Sequence, residues 1–123
     1  MSSDSYNAVT WLLDRNVDEG RAKKPAFTDG VSEHIRSANL PWNVQQLGAR
    51  AEYTFATKPP RNGGESAAAA DFELERYLHL YALNRGVLLT PFHNMALMSP
   101  ETTAKDVDHH TNVFRQCVQE LAG

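Results

Sequence analysis

The sequence predicts an α+β fold: a small, mainly antiparallel sheet of three or four strands with helices on one face, plus an extra N-terminal helix. Two observations predict it. Segments with helical spacing of apolar residues are interleaved with short strand-like segments, and the strand-like segments do not form a run of strict βαβ units. The 123 residues, 41% of them hydrophobic, are enough for one domain with a modest core.

The first predicted helix runs from Tyr6 to Glu19 and ends at Gly20. Its apolar stripe consists of Val9, Leu12, Leu13 and Val17. A charged hinge, Arg21–Pro25, follows. Because an apolar stripe at helical spacing is stable only when it is covered, this helix requires a partner surface.

A second helix is predicted over Gly30–Ala38, opened by Thr28 or Asp29 and ended by Pro41. Its inward positions are the i, i+4 pair Val31 and Ile35.

Two strands follow, Trp42–Leu47 and Ala49–Ala56, because polar and apolar residues alternate in both. Gly48 between them allows a tight turn or a bulge, which indicates a hairpin. On the second strand, one face carries Ala49, Ala51, Tyr53 and Phe55.

The alanine run and the spacing of large apolar residues predict one long helix over Glu65–Asn84, with Gly86 as its left-handed stop. Two short apolar strands are then expected, Val87–Thr90 and Ala96–Met98. The last helix should begin near Thr102 or Thr103 and have Asp106 in its first turn. Its inward residues are predicted to be Val107, Phe114, Val118 and Leu121.

Charge and composition exclude several classes of function. The net charge is -3, with both signs interspersed and no long basic run, so nucleic acid is a poor candidate partner. A membrane span needs roughly 18 consecutive apolar residues, which the sequence lacks, and we see no signal peptide. The lone Cys117 lies on an apolar stripe and indicates a core residue in a reducing compartment. We therefore expect a cytoplasmic protein.

The most suggestive polar residue is Arg61, in the loop Lys58–Gly64. Two prolines before it restrict the backbone and two glycines after it release it, while the guanidinium suits bidentate capture of a carboxylate or phosphate. The alternative is a surface turn with a solvated cation.

No catalytic or metal-binding set emerges from the residue types alone. His109 and His110 are adjacent, so they cannot form a helical i, i+4 metal pair, and a surface position is the simpler interpretation. His93 lies in an apolar loop and either faces a pocket or has a structural role. The four lysines lack the apolar neighbours that a Schiff-base lysine needs; they are Lys23, Lys24, Lys58 and Lys105.

From about Phe27 to the C-terminus the sequence resembles the small C-terminal domain of class III pyridoxal-phosphate aminotransferases. The similarity is greatest to the branch of glutamate-1-semialdehyde aminomutase and the β-amino-acid aminotransferases. It is carried, in the order the family has them, by Leu40–Val44, Leu47–Tyr53, Pro60–Gly63, Glu65 with its alanine run, and Leu83–Asn94.

This resemblance implies a role for Arg61 as the arginine that holds the substrate carboxylate. It also implies that the loop with Phe92, His93 and Asn94 lies near the mouth of the active site. Pyridoxal phosphate is the cofactor of the family. Its aldimine lysine, its pyridine-binding aspartate and its phosphate loop belong to a large domain, so no cofactor and no catalytic residue are expected on this chain alone.

Residues 1–26 differ from the rest and resemble the extreme N-terminus of benzoate-CoA-ligase-type adenylating enzymes. The residues concerned are Tyr6–Val17, Gly20, Arg21 and Lys24–Phe27. Two regions are therefore expected, a helix and hinge over 1–26 and an aminotransferase-like domain over 27–123. Three origins are compatible with this pattern: a natural remnant, a rearranged reading frame and an engineered splice.

Three functional hypotheses follow. In the first, the chain is a remnant or fragment of an aminotransferase small domain that keeps the Arg61 loop and is inactive alone, with a missing large domain as partner. In the second, it is an interaction module that forms an oligomer through the N-terminal helix or an exposed sheet face. In the third, it binds small carboxylates through Arg61.

Overall fold

The computed structural model describes residues 23–90 and 93–123, and within them it confirms the α+β fold. The elements in chain order are α1 (Lys23–Ser37), β1 (Asn43–Leu47), β2 (Arg50–Thr54), α2 (Gly63–Ala68), α3 (Phe72–Leu83), β3 (Met95–Leu97) and α4 (Ala104–Ala122). The strands form one antiparallel sheet in the order β1-β2-β3. The predicted helix over Tyr6–Glu19 lies outside the described residues.

Helix α1 begins at Lys23, so the prediction of a hinge before a helix at Gly30 was wrong. The hinge contains Pro25, but a proline in the first turn of a helix costs nothing because that N–H has no partner within the helix. Val31 and Ile35 face the core as predicted. The helix ends before Pro41, where Asn39 adopts a φ of 53° and the next N–H returns to the carbonyl of Ile35.

The predicted hairpin is present, and Gly48 makes its turn possible. Strands β1 and β2 pair from Asn43↔Thr54 to Leu47↔Arg50, and Gly48 has a φ of 58°, which a residue with a side chain rarely adopts. Strand β3 pairs with β2 through Ala51↔Ala96. The core side of the sheet carries Ala51, Tyr53 and Ala96, all buried.

The long helix predicted over Glu65–Asn84 is two helices, α2 and α3. Asp71 separates them: its backbone is extended, and its side chain accepts a hydrogen bond from the N–H of Leu74 as the N-cap of α3. The alanines before it favour a helix but offer no large side chain to bury, and α2 buries none of its residues. Gly86 follows α3 with a φ of 81°, as predicted.

The segment Val87–Thr90 is not a strand, and this prediction was wrong. The N–H of Thr90 donates to the carbonyl of Met95 at 3.3 Å, but no ladder forms along the segment. Leu89 is buried, whereas Leu88 is 73% exposed. A continuous apolar run is compatible with a buried segment of any conformation, so it did not establish that this segment forms a strand.

Helix α4 begins after Thr103 with a reciprocal capping box, close to the predicted start. The Thr103 hydroxyl accepts from the N–H of Asp106, and the Asp106 carboxylate accepts from the N–H of Thr103. Val107, Phe114 and Val118 are buried as expected. Leu121 is 39% exposed, contrary to the prediction, since it lies in the last turn of α4, where every residue from 119 onward is exposed.

The core lies where α1 and α4 cross beside the sheet. At Gly30 an added Cβ would lie 2.8 Å from the methyl group of Thr111, so the two helices approach closely at this glycine. Phe114 of α4 contacts Tyr53 of β2 with ring centroids 5.1 Å apart, which joins the helices to the sheet. None of the described helices has the length and apolar character needed to cross a bilayer.

Candidate functional site

Arg61 lies in the loop between the end of β2 and the start of α2. The following residue, Asn62, has extended backbone angles and caps α2 by accepting a hydrogen bond from the N–H of Glu65 at 2.9 Å. The cap fixes where the helix starts. It thereby places Glu65 one turn after Arg61, on the same side of the loop.

The guanidinium of Arg61 already holds a carboxylate, that of Glu65. Nη2 and Nε donate to Oε1 at 2.6 and 3.1 Å, and the backbone N–H of Arg61 donates to Oε2 at 2.8 Å. These bonds lower the pKa of Glu65 and raise that of Arg61. The Arg61 side chain is 84% exposed. Because water screens an exposed pair, a competing carboxylate can replace Glu65 at small cost.

An open groove of about 740 Å³ adjoins this pair. Its walls are mainly apolar, from Phe55, Pro59, Pro60 and nearby alanines, and its cations are Lys58 and Arg61. An apolar wall beside a guanidinium suits a ligand with an anionic group and an apolar body.

His93 and Asn94 lie at two further grooves, of about 300 and 370 Å³. Nδ1 of His93 is 3.6 Å from Oε1 of Glu52, and its side chain is 57% exposed. Asn94 is buried, and its carbonyl accepts from the N–H of Tyr53 at 3.1 Å. Phe92 lies outside the described residues. That this loop lies near the mouth of an active site stays a prediction.

The grooves of His93 and Arg61 are adjacent on the surface. The larger of the two His93 grooves shares the wall residues Phe55 and Ala69 with the Arg61 groove. The structure therefore places Arg61, His93 and Asn94 along one connected stretch of surface, near the C-terminal end of β2.

His110 is a buried residue, contrary to the expectation that it lies at the surface. It is 6% exposed and packs on Phe27 with ring centroids 4.5 Å apart. Burial lowers the pKa of His110 to about 4, so the ring is neutral near pH 7. Its position three residues after Val107 and four before Phe114 on the apolar stripe was the signal in the sequence.

Among the described residues, no group of three or more candidate ligands could hold a metal ion. Cys117 is buried, as predicted, and burial raises the pKa of its thiol to about 12. Such a thiol is protonated and unreactive at neutral pH. The two lysine side chains that the structure describes, Lys58 and Lys105, are exposed.

Solved structures of other proteins share this fold, and two of them are also similar in sequence. A lysine-to-alanine variant of a glutamate-1-semialdehyde aminomutase from Pseudomonas aeruginosa PAO1, in complex with PMP, is 50% identical over 81% of the chain, with a TM-score of 0.80. Another structure of a glutamate-1-semialdehyde aminomutase from that organism is 45% identical over 89%, with a TM-score of 0.81. An omega-transaminase from Sphaerobacter thermophilus is 19% identical over 90%, with a TM-score of 0.68, and shows likeness of fold alone.

The chain spans 22% and 23% of the length of the two aminomutase chains. Similarity to glutamate-1-semialdehyde aminomutase, predicted from the sequence, is thus confirmed for one region of those enzymes. The predicted likeness of the N-terminus to adenylating enzymes has no support in these structures. No protein-family model and no curated protein matches the chain.

Proposed function

We propose that this chain serves as the carboxylate-binding small domain of a pyridoxal-phosphate-dependent aminotransferase or aminomutase, with Arg61 as the carboxylate ligand. The observation that carries the proposal is the 50% identity to an aminomutase that holds PMP. The exposed pairing of Arg61 with Glu65 supports it, because Nη2 donates to Oε1 and Nε to Oε2, a bidentate geometry that a carboxylate accepts.

The described residues do not fit pyridoxal phosphate itself. An aldimine lysine has to be desolvated so that its pKa falls, and Lys58 and Lys105 are exposed. The cofactor, when bound by such an enzyme, supplies the electron sink for chemistry at the amino-bearing carbon. The part proposed for this chain is to bind and orient: Arg61 fixes the carboxylate and the apolar wall of its groove contacts the substrate body.

The test is a titration of the chain with β-phenylalanine, in which binding is measured by the NMR chemical shifts of the Arg61 loop. We expect saturable shifts that Arg61→Ala abolishes, because the guanidinium supplies both donors of the bidentate contact. Arg36→Ala is the matched control, since Arg36 is an exposed arginine on α1 away from the groove. The carboxamide of β-phenylalanine should not bind. Equal shifts for the wild type and Arg61→Ala would remove Arg61 from the proposed role.

A further inference from the structure

Asn94, the residue directly before β3, has a side-chain amide that the chain itself does not satisfy. Its backbone carbonyl accepts a hydrogen bond from the N–H of Tyr53, which fixes the residue beside β2. Asn94 is only 8% exposed, and within residues 23–90 and 93–123 its side-chain amide has no hydrogen-bond partner. Because a buried amide is costly to leave unpaired, such a group indicates a place where another polar group binds.

The side chain of Asn94 borders the smaller of the two His93 grooves, which has a volume of about 300 Å³. We name it the α3 groove, because most of its wall consists of α3 residues, from Phe72 to Leu80. A groove of this volume is at the lower end of the range for small-molecule sites. Asn94 is thus the buried polar group of a groove that can hold a small ligand.

Two large apolar side chains of the α3 groove are open to solvent. Phe72 is 62% exposed and Leu80 is 49% exposed, and they lie about two helical turns apart on α3. The guanidinium of Arg76 lies over the Phe72 ring, 5.4 Å from its centre. Phe72 and Leu80 together offer the apolar body of a ligand a surface next to the amide of Asn94.

The charged group nearest the chemistry of Asn94 is Glu75, whose half-buried side chain lines the same two grooves as Asn94. A carboxylate accepts hydrogen bonds and repels another carboxylate, so this groove favours a ligand that donates N–H groups. A primary carboxamide has two N–H donors and one carbonyl acceptor. It therefore matches an amide and a carboxylate that share one groove.

We propose that the α3 groove binds a small ligand that has a primary carboxamide on an aromatic or branched apolar body. Nδ2 of Asn94 donates to the ligand carbonyl, Oδ1 accepts one ligand N–H, and Glu75 accepts the other. Phe72 and Leu80 contact the apolar body. The inference does not depend on the proposed role of Arg61, because Arg61 is not part of the α3 groove.

The first experiment is a titration of the full chain with benzamide, in which binding is measured by NMR chemical shifts. The side-chain amide of Asn94 and the backbone amides of Phe72–Leu80 should shift and saturate together. Asn94→Ala should lower the affinity at least about fivefold, the size expected for two lost hydrogen bonds between neutral groups. Asn112→Ala is the matched control, since Asn112 is an exposed asparagine on α4. Equal affinities of the wild type and Asn94→Ala would overturn the proposal.

Phe72→Ala tests the apolar contact at an exposed position, where folding should be preserved even if Asn94→Ala does not fold. It should weaken benzamide binding several-fold, because the ligand loses the ring that covers it. Unchanged affinity in this variant would also count against the site.

Two further ligands separate the carboxamide from its charged analogues. Benzoate has the same ring but should leave the Asn94 amide unshifted because of Glu75, and benzamide should leave the Arg61 loop unshifted. Benzylamine offers an ammonium to Glu75. Saturable benzylamine binding that is stronger than benzamide binding and survives Asn94→Ala would assign the groove to a cation and overturn the proposal.

Discussion

At the scale of single residues, Arg61 and Glu65 show how an arginine can be kept in position without being buried. Their pairing uses both carboxylate oxygens, yet the guanidinium stays open to water. An incoming carboxylate would exchange with an internal one, so the net gain in binding is a difference between two similar contacts. Carboxylate affinity should therefore be modest and adjustable through Glu65.

Glu65→Gln tests this exchange. The amide keeps a similar shape but removes the competing charge, so the affinity for β-phenylalanine should rise by about twofold, the size expected for one exposed i, i+4 ion pair. NMR titration measures it, with Glu73→Gln as an exposed-carboxylate control on α3. A lower affinity in Glu65→Gln would mean that Glu65 orients Arg61 more than it competes with substrate.

His110 gives a second prediction at this scale, on stability and pH. Its pKa is about 4 in the folded chain and 6.5 ordinarily, so the unfolded chain binds more protons between these values. The contribution of the neutral His110 ring to the free energy of unfolding is therefore fully present above pH 6.5 and is lost as pH falls towards 4. The loss should be on the order of 3 kcal/mol.

Urea unfolding at pH 7.5 and pH 4.5 measures this effect. Other groups also titrate in this range, so the informative quantity is the difference between the wild type and His110→Phe, which cannot titrate at this position. The variant should lose less stability on acidification. Equal losses in both proteins would show that His110 is protonated in the folded chain as easily as in the unfolded one.

At the scale of elements, the crossing of α1 and α4 depends on Gly30. The methyl group of Thr111 occupies the space that a Cβ would need, at 2.8 Å. Glycine weakens a helix interior by about 1 kcal/mol relative to alanine. At this crossing the close contact that glycine allows between the two helices offsets its lower helix propensity.

The effect of Gly30→Ala on the free energy of unfolding should consequently change sign when Thr111 is replaced. In the wild type the overpacking, about 1 to 3 kcal/mol, should outweigh the gain in helix propensity and destabilise the chain. In a Thr111→Ala background the clashing atoms are gone, so the same change should stabilise by up to about 1 kcal/mol. Urea unfolding of the four proteins forms the cycle. Additive effects would show that the two side chains do not compete for space.

The elements also show what local pattern could and could not predict. Val31, Ile35 and the Thr103–Asp106 cap followed from spacing and capping chemistry, because each depends on residues within one or two turns. The break at Asp71 did not follow, since an aspartate after four alanines is compatible with both a continuous helix and a cap. Helix α3 packs on α4, and that long-range contact, which can override local helix propensity, is not visible in a local window.

At the scale of the whole molecule, some features of the candidate site were predictable from local sequence and others depend on long-range contacts. Arg61 was identifiable from its proline and glycine neighbours, and the family resemblance implied a role for it. The pairing of Arg61 with Glu65 was not predicted, although the two residues stand at i, i+4. The predicted helix began at Glu65, which placed the two residues in different elements. The adjoining His93 and Arg61 grooves depend on pairing of β2 with β3, which brings distant parts of the chain together.

The cofactor question belongs to this scale as well. If aldimine chemistry resides outside this chain, mixing the purified chain with pyridoxal phosphate and borohydride should label its lysines weakly and without preference. Intact mass and peptide mapping measure the label, and Lys58→Arg serves as a control for the lysine nearest Arg61. One labelled lysine per chain, at a single position, would contradict the proposed division of labour.

The sheet is also asymmetric in the time its two ladders need to form. The β1–β2 ladder closes through Gly48 and Ala49 alone, and hairpins of this kind form in about 1 to 10 μs. The β2–β3 ladder joins segments that are separated in the chain by α2 and α3, so its closure costs more chain entropy and should be slower. Folding should thus begin at the hairpin, and substitutions in β3 should accelerate unfolding more than they slow folding. The sheet would then be completed by β3, whose carbonyl at Met95 also accepts a hydrogen bond from the N–H of Thr90.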